Sequence, residues 1–119
     1  MLDDGTSAVG AYAIYSSSNA PIRLLVINTN YYDGSGTRSI AAVSFTGLTA
    51  SQSSAVAKRM TAPSAASRVD AGDAITIGGS ASFTSSCTET GGQTTETVTI
   101  SGTSMTVSVR ASEALIVFL

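Results

Sequence analysis

Apolar and polar positions alternate with a period of two along much of the chain, and many of the apolar ones are β-branched or aromatic. That pattern predicts strands half-buried against a core. It is clearest over residues 95–100 (TETVTI), where Glu96, Val98 and Ile100 fall on one face and threonines on the other. Residues 105–109 repeat it, with Met105, Val107 and Val109 alternating with Thr106 and Ser108. Residues 11–16 (AYAIYS), 22–28, 39–45 (SIAAVSF) and 55–60 read as further strands. In 55–60 the expectation is Val56 and Met60 inward, with Lys58 tolerated at an end or edge. Residues 74–77 and 81–83 are weaker strand candidates separated by Gly78-Gly79, and the chain closes on 114–119 (ALIVFL).

Turn chemistry separates these runs. Asn19-Ala20-Pro21 and Ser101-Gly102 mark turns, and Gly47 ends the third strand. Tyr31-Tyr32-Asp33-Gly34-Ser35-Gly36 reads as a hairpin loop with two glycines for unusual backbone angles. Residues 61–73, around Pro63 and Gly72, read as a long irregular loop with room for a helical turn at most. About eight strands at this spacing predict an all-β fold, an antiparallel β-sandwich of Greek-key type, with a closed barrel as the second choice. The length fits one domain over residues 1–119.

Two strands break the alternation. Residues 24–27 and 115–119 are apolar at every position, whereas one face of an antiparallel sandwich strand normally meets water. Their outer face is therefore expected to be covered. The cover is the 61–73 loop, another domain or a second copy of the chain, which makes Leu25, Ile27, Ile116 and Phe118 candidate interface residues.

Composition narrows the chemistry. The 119 residues include 36 serines and threonines, 14 charged residues and no histidine, with a formal net charge of −2. Without histidine there is no Ser-His-Asp triad, His-ligated zinc or histidine general base. The mild acidity offers no footprint for nucleic acid. No apolar run is long enough for a membrane-spanning helix, and Met1-Leu2-Asp3-Asp4 lacks the basic and apolar regions of a signal peptide. Such a start fits a mature or excised domain and the natural start of a cytosolic protein alike.

Four groups of residues merit attention as sites. Asp33-Gly34-Ser35-Gly36-Thr37 lacks the Lys-Ser/Thr ending of a phosphate loop and the repeated acids of an EF-hand, so a turn is the better reading. Asp70 and Asp73 would reach one calcium ion, but loop-solvated aspartates are the plainer expectation. Tyr12, Tyr15, Tyr31 and Tyr32 are candidates for an aromatic platform under a sugar ring. Cys87, in a polar loop, has no partner within the chain and is a candidate for an intermolecular disulfide. No residue is assigned to catalysis, metal or cofactor.

An ordered set of segments resembles the C-terminal β-domain of glycoside hydrolase family 79, which includes fungal β-glucuronidases and relatives of heparanase. The segments are Tyr12-Ala13-Ile14-Tyr15, then Pro21-Ile22-Arg23-Leu24-Leu25-Val26-Ile27-Asn28, then Asn30-Tyr31-Tyr32. They continue with Ala57-Lys58-Arg59-Met60-Thr61-Ala62-Pro63-Ser64-Ala65, Gln93-Thr94-Thr95-Glu96-Thr97-Val98 and Val109-Arg110-Ala111-Ser112-Glu113-Ala114-Leu115-Ile116-Val117. The resemblance implies a sandwich packed beside a (β/α)₈ barrel in a secreted enzyme. The family's two catalytic glutamates lie on that barrel, so none transfers here; Glu96 and Glu113 match positions without a catalytic role. The resulting expectation is a non-catalytic accessory module whose partner is a barrel. The alternative is a stand-alone secreted fungal sandwich that self-associates or binds a glycan or receptor, in lectin-like or immunomodulatory fashion.

Overall fold

The period-two pattern becomes ten antiparallel strands in the computed structural model, which describes residues 2, 5–48, 52–84 and 86–119. They are β1 (Val9–Tyr15), β2 (Pro21–Asn28), β3 (Ile40–Phe45), β4 (Ser54–Thr61), β5 (Thr76–Ile77), β6 (Ala81–Phe83), β7 (Glu89–Thr90), β8 (Glu96–Ser101), β9 (Ser104–Arg110) and β10 (Glu113–Phe118). A 3₁₀ turn, Val69–Ala71, sits in the irregular loop and ends at Gly72, which adopts the left-handed conformation. Met1, Asp3, Asp4 and, in the Cys87 loop, Ser85 lie outside the described residues.

Strands β1, β2, β10 and β4 form one sheet in that order. The far edge of β4 is shared: its first half pairs with β8 and its end with β5, which carries β6 and β7 onward. Strand β8 then leaves β4 and pairs through Ile100 and Ser101 with β9, which pairs with β3. One strand thus belongs to both sheets, and the sandwich is nearly barrel-shaped. The two inner faces meet over Leu24, Val26, Ala57, Leu115 and Val117 on one side and Phe45, Met105, Val107 and Val109 on the other. Val98 and Ile100 fill the corner where β8 changes sheet. Each large side chain buried this way contributes roughly 1.5–3 kcal/mol.

The all-β sandwich agrees with the sequence expectation, but several details differ. Among the described residues strands number ten: the nine runs read from the sequence, the two weak ones included, each form a strand, and Glu89–Thr90 adds a two-residue strand with no apolar signal of its own. In β4 the inward residues are Ala55 and Ala57; Val56 and Met60 point out, 47% and 48% exposed. Hydrophobicity ranks side chains but cannot choose between two apolar faces, and here the small alanines permit close approach of the facing sheet. Lys58 pairs with Ile116 of β10 on one side, and on the other it lies in the gap between the β8 pairing, which ends at Ala57, and the β5 pairing, which begins at Met60. Its ammonium donates to Gln93 Oε1 at 2.6 Å. The loop at 31–36 is no hairpin: β2 and β3 lie in different sheets, and it crosses between them. Its turn is made locally, with Asp33 Oδ1 accepting from the Ser35 N–H and hydroxyl, both at 2.9 Å.

Gly78 stitches the β5–β6 turn to the segment before β8. Its N–H donates to Arg59 O at 2.9 Å, and its carbonyl accepts from Thr94 N at 2.7 Å. With φ at 58° and only 2.6 Å from a built Cβ to Thr94 O, no other residue fits there without moving backbone.

An outward apolar sheet face and the charged network behind it

Residues opposite each other across paired strands share a face, so the register builds the outer surface directly. One row runs Tyr12, Leu25, Ile116 and Lys58; another Ile14, Arg23, Phe118 and Val56; a third Gly10, Ile27, Ala114 and Met60. All four candidate interface residues therefore stand together on this face. The alternate rows, Ala11–Val26–Leu115 and Ala13–Leu24–Val117, face the core. Two cations share this face: Lys58 reaches Gln93, and the Arg23 guanidinium lies over the Phe118 ring, 5.5 Å from its centroid. The 61–73 loop reaches only one end of the face, where Thr61 and Ala62 stand beside Ile27, Met60 and Ala114. It packs at the end near Tyr32, where Ala65 N–H donates to Tyr32 O at 2.8 Å, while Tyr12, Ile14, Val56 and Met60 stay exposed.

Behind the same sheet lies a charged network that the sequence reading passed over. Glu113, its side chain 3% exposed, takes Arg59 Nη1 on one oxygen at 3.0 Å and the Thr61 hydroxyl on the other at 2.8 Å. The Arg110 N–H donates to it at 3.1 Å, and Arg38 Nη1 stands 3.6 Å away. Arg59 also holds Glu96 in a two-pronged pair at 2.8 and 3.0 Å. Arg38 spends its remaining donors on carbonyls: Nε on Ala111 at 2.7 Å, Nη1 on Ala62 and Nη2 on Ser112, both at 3.1 Å. Its guanidinium lies over the Tyr32 ring at 4.9 Å. Burial alone would raise the Glu113 carboxyl, but Thr61, the Arg110 N–H and the two arginine charges outweigh it and hold it below its ordinary value. Burial would likewise lower Arg59, and Glu96 and Glu113 outweigh that and raise it. A carboxylate held ionised between two arginines is a poor proton donor. Its chemistry is that of a strut, fixing the two-residue crossing from β9 to β10 against β4.

The other candidates are scattered. Tyr15 pairs with Pro21 at one end of the first hairpin, and Tyr31 follows Asn28 at the other. The intervening strand is about 24 Å long at 3.4 Å per residue, so the four tyrosines form no single platform. Tyr32 is occupied by Arg38. Asp70 is ion-paired with Arg68, and Asp73 accepts the Arg68 N–H at 2.8 Å. Among the described residues, no group of three or more His, Cys, Asp or Glu side chains is placed to hold a metal. Cys87 is exposed in a turn at φ 61°, its N–H donating to Thr84 O at 2.9 Å.

Comparison with known proteins gives this face its context. No curated protein matches the chain. Among solved structures, the chain is similar to a 4-O-α-L-rhamnosyl-β-D-glucuronidase from Fusarium oxysporum 12S, crystallised as a Rha-GlcA complex. The identity is 45% and the TM-score 0.90, over 99% of this chain but only 25% of that one. The chain thus spans a quarter of the length of that enzyme. The family profile described as "Glycosyl hydrolase family 79 C-terminal beta domain" matches residues 11–116, and the chain belongs to that family.

Proposed function

We propose that this chain is the non-catalytic C-terminal module of a secreted, β-glucuronidase-like family 79 hydrolase, and that it supports a catalytic barrel. The single observation that carries this reading is the apolar outer face of β1-β2-β10-β4, on a domain that matches one quarter of a longer enzyme. Leu25, Ile27, Ile116 and Phe118 belong to the surface it turns toward the barrel. Burying such a face stabilises both partners, because apolar area leaves water on each side.

The test is a hybrid in which this chain replaces the matching C-terminal quarter of the Fusarium enzyme. The hybrid is expected to be soluble, to melt in one cooperative transition and to retain the 4-O-α-L-rhamnosyl-β-D-glucuronidase activity of the Fusarium enzyme, whereas the 119-residue chain alone shows none of it. A hybrid that aggregates, or whose two parts melt separately, overturns the reading. So does turnover by the isolated chain.

The exposed thiol adds a property of the free domain. Oxidised at high concentration, the chain is expected to form a dimer on non-reducing gels that vanishes with dithiothreitol and in Cys87→Ser. A dimer persisting in Cys87→Ser, or monomer alone in the parent chain, removes the intermolecular disulfide.

A further inference from the structure

The outer face is not uniform. In its third row the small side chain of Ala114 lies between Ile27 and Met60, and these three residues with Ala62 and Ile75 line a recess of about 230 Å³ that is open to the surface. An enclosed cavity of about 150 Å³ holds a benzene ring, so an open recess of this volume has room for one large apolar side chain. The polar residues at its walls are engaged inside the chain. Asn28 donates to Val109 O at 3.0 Å and accepts from Asn30 N–H at 3.1 Å. The Ser112 hydroxyl donates to Asn30 O at 2.9 Å and accepts from Tyr32 N–H at 3.2 Å. Thr61 and Glu113 are bound to each other and to the arginines. A sugar would find its hydroxyls unmatched there, while a leucine, methionine or phenylalanine side chain would not.

We infer that this pocket is the anchor of the domain interface and receives one apolar side chain from the catalytic barrel. The inference rests on the function proposed above. One observation favours that occupant. Three quarters of the Fusarium chain lie outside the match, and the matched family is a C-terminal domain, so the bulk of such an enzyme precedes it and is the apolar surface available to this face. Interfaces concentrate their energy in a few side chains seated in pockets, with flatter contacts around them excluding water. The pocket supplies such a seat, and the rows through Leu25 and Phe118 supply the surround.

The Fusarium hybrid also tests the anchor. Ala114→Phe fills the pocket from its floor, and Met60→Lys sets a charge on its rim. Ser44→Lys, on the exposed face of β3, is the control. In the hybrid, Ala114→Phe and Met60→Lys are expected to split the single melting transition in two, while Ser44→Lys leaves it single. As isolated 119-residue chains, both pocket variants are expected to melt where the parent does. Pocket variants that keep one transition, as the control does, overturn the anchor while the accessory-module reading stands. An unmodified hybrid that already melts in two steps overturns that reading and the anchor with it. Loss of folding by both variants as isolated chains also overturns the anchor, since it makes Ala114 and Met60 part of the domain's own core.

Discussion

Glu113→Ala is expected to cost the isolated domain about 3–5 kcal/mol, the range for removing one partner of a buried ion pair. The substitution removes the acceptor of the Thr61 hydroxyl and the Arg110 N–H and leaves Arg59 with only the exposed Glu96. Arg38 loses its nearest carboxylate but keeps its carbonyl partners, so damage should concentrate on the β4–β10 side. Glu113→Gln separates charge from shape. The folded carboxyl lies below its ordinary 4.5, so its ionisation stabilises the fold fully above the unfolded value and ceases to as pH falls through the folded one. The parent chain should therefore lose stability on acidification below about pH 4.5, and Glu113→Gln should lose less over the same interval. Urea midpoints at neutral pH and near pH 3 measure both. Equal acid sensitivity of parent and Glu113→Gln would remove Glu113 from the account.

That network shows where sequence reading stops. Val98 and Ile100, and Met105, Val107 and Val109, were legible because each strand shows water one face and the core the other. β4 was misread because both of its faces carry apolar side chains, and only the facing sheet decides that alanine goes in and methionine out. The crossing at 31–36 looked like a hairpin because its Asx turn and glycines are local chemistry, whereas the sheet that receives β3 is decided by β9 far along the chain. Arg59 and Glu113 are 54 residues apart and meet only through the β4–β10 register. A glutamate directly before the doubly apolar run was a signal in hindsight, since its place on the inward face of β10 requires a cation. The family was legible through the order of many short segments, and the profile match covers nearly the same span.

Adjacent residues on β10 should behave in opposite ways. Leu115 is 1% exposed in the centre of the core, and Ile116 sits half-buried on the outer face between Leu25 and Lys58. Leu115→Ala removes core volume that the packed sheets cannot reclaim, and is expected to cost the isolated chain about 2–5 kcal/mol. Ile116→Glu places its carboxylate directly opposite Lys58, where cross-strand opposite charges are mildly favourable. Its cost to the isolated chain is expected to stay within about 1 kcal/mol, near the range for surface substitutions. In the hybrid enzyme the order reverses in kind. Leu115→Ala weakens the module but leaves its surface intact, so the hybrid still melts as one unit at a lower temperature. Ile116→Glu leaves the module folded but carries a charged pair with Lys58 into an apolar contact, where desolvating the charges is costly, and the two parts separate. Chemical denaturation of the isolated variants, read beside calorimetry of the hybrids, measures all four quantities. Should Ile116→Glu unfold the isolated chain as severely as Leu115→Ala, the outer face would have to be sealed by the chain itself or by a second copy. A barrel would then have nothing apolar left to cover.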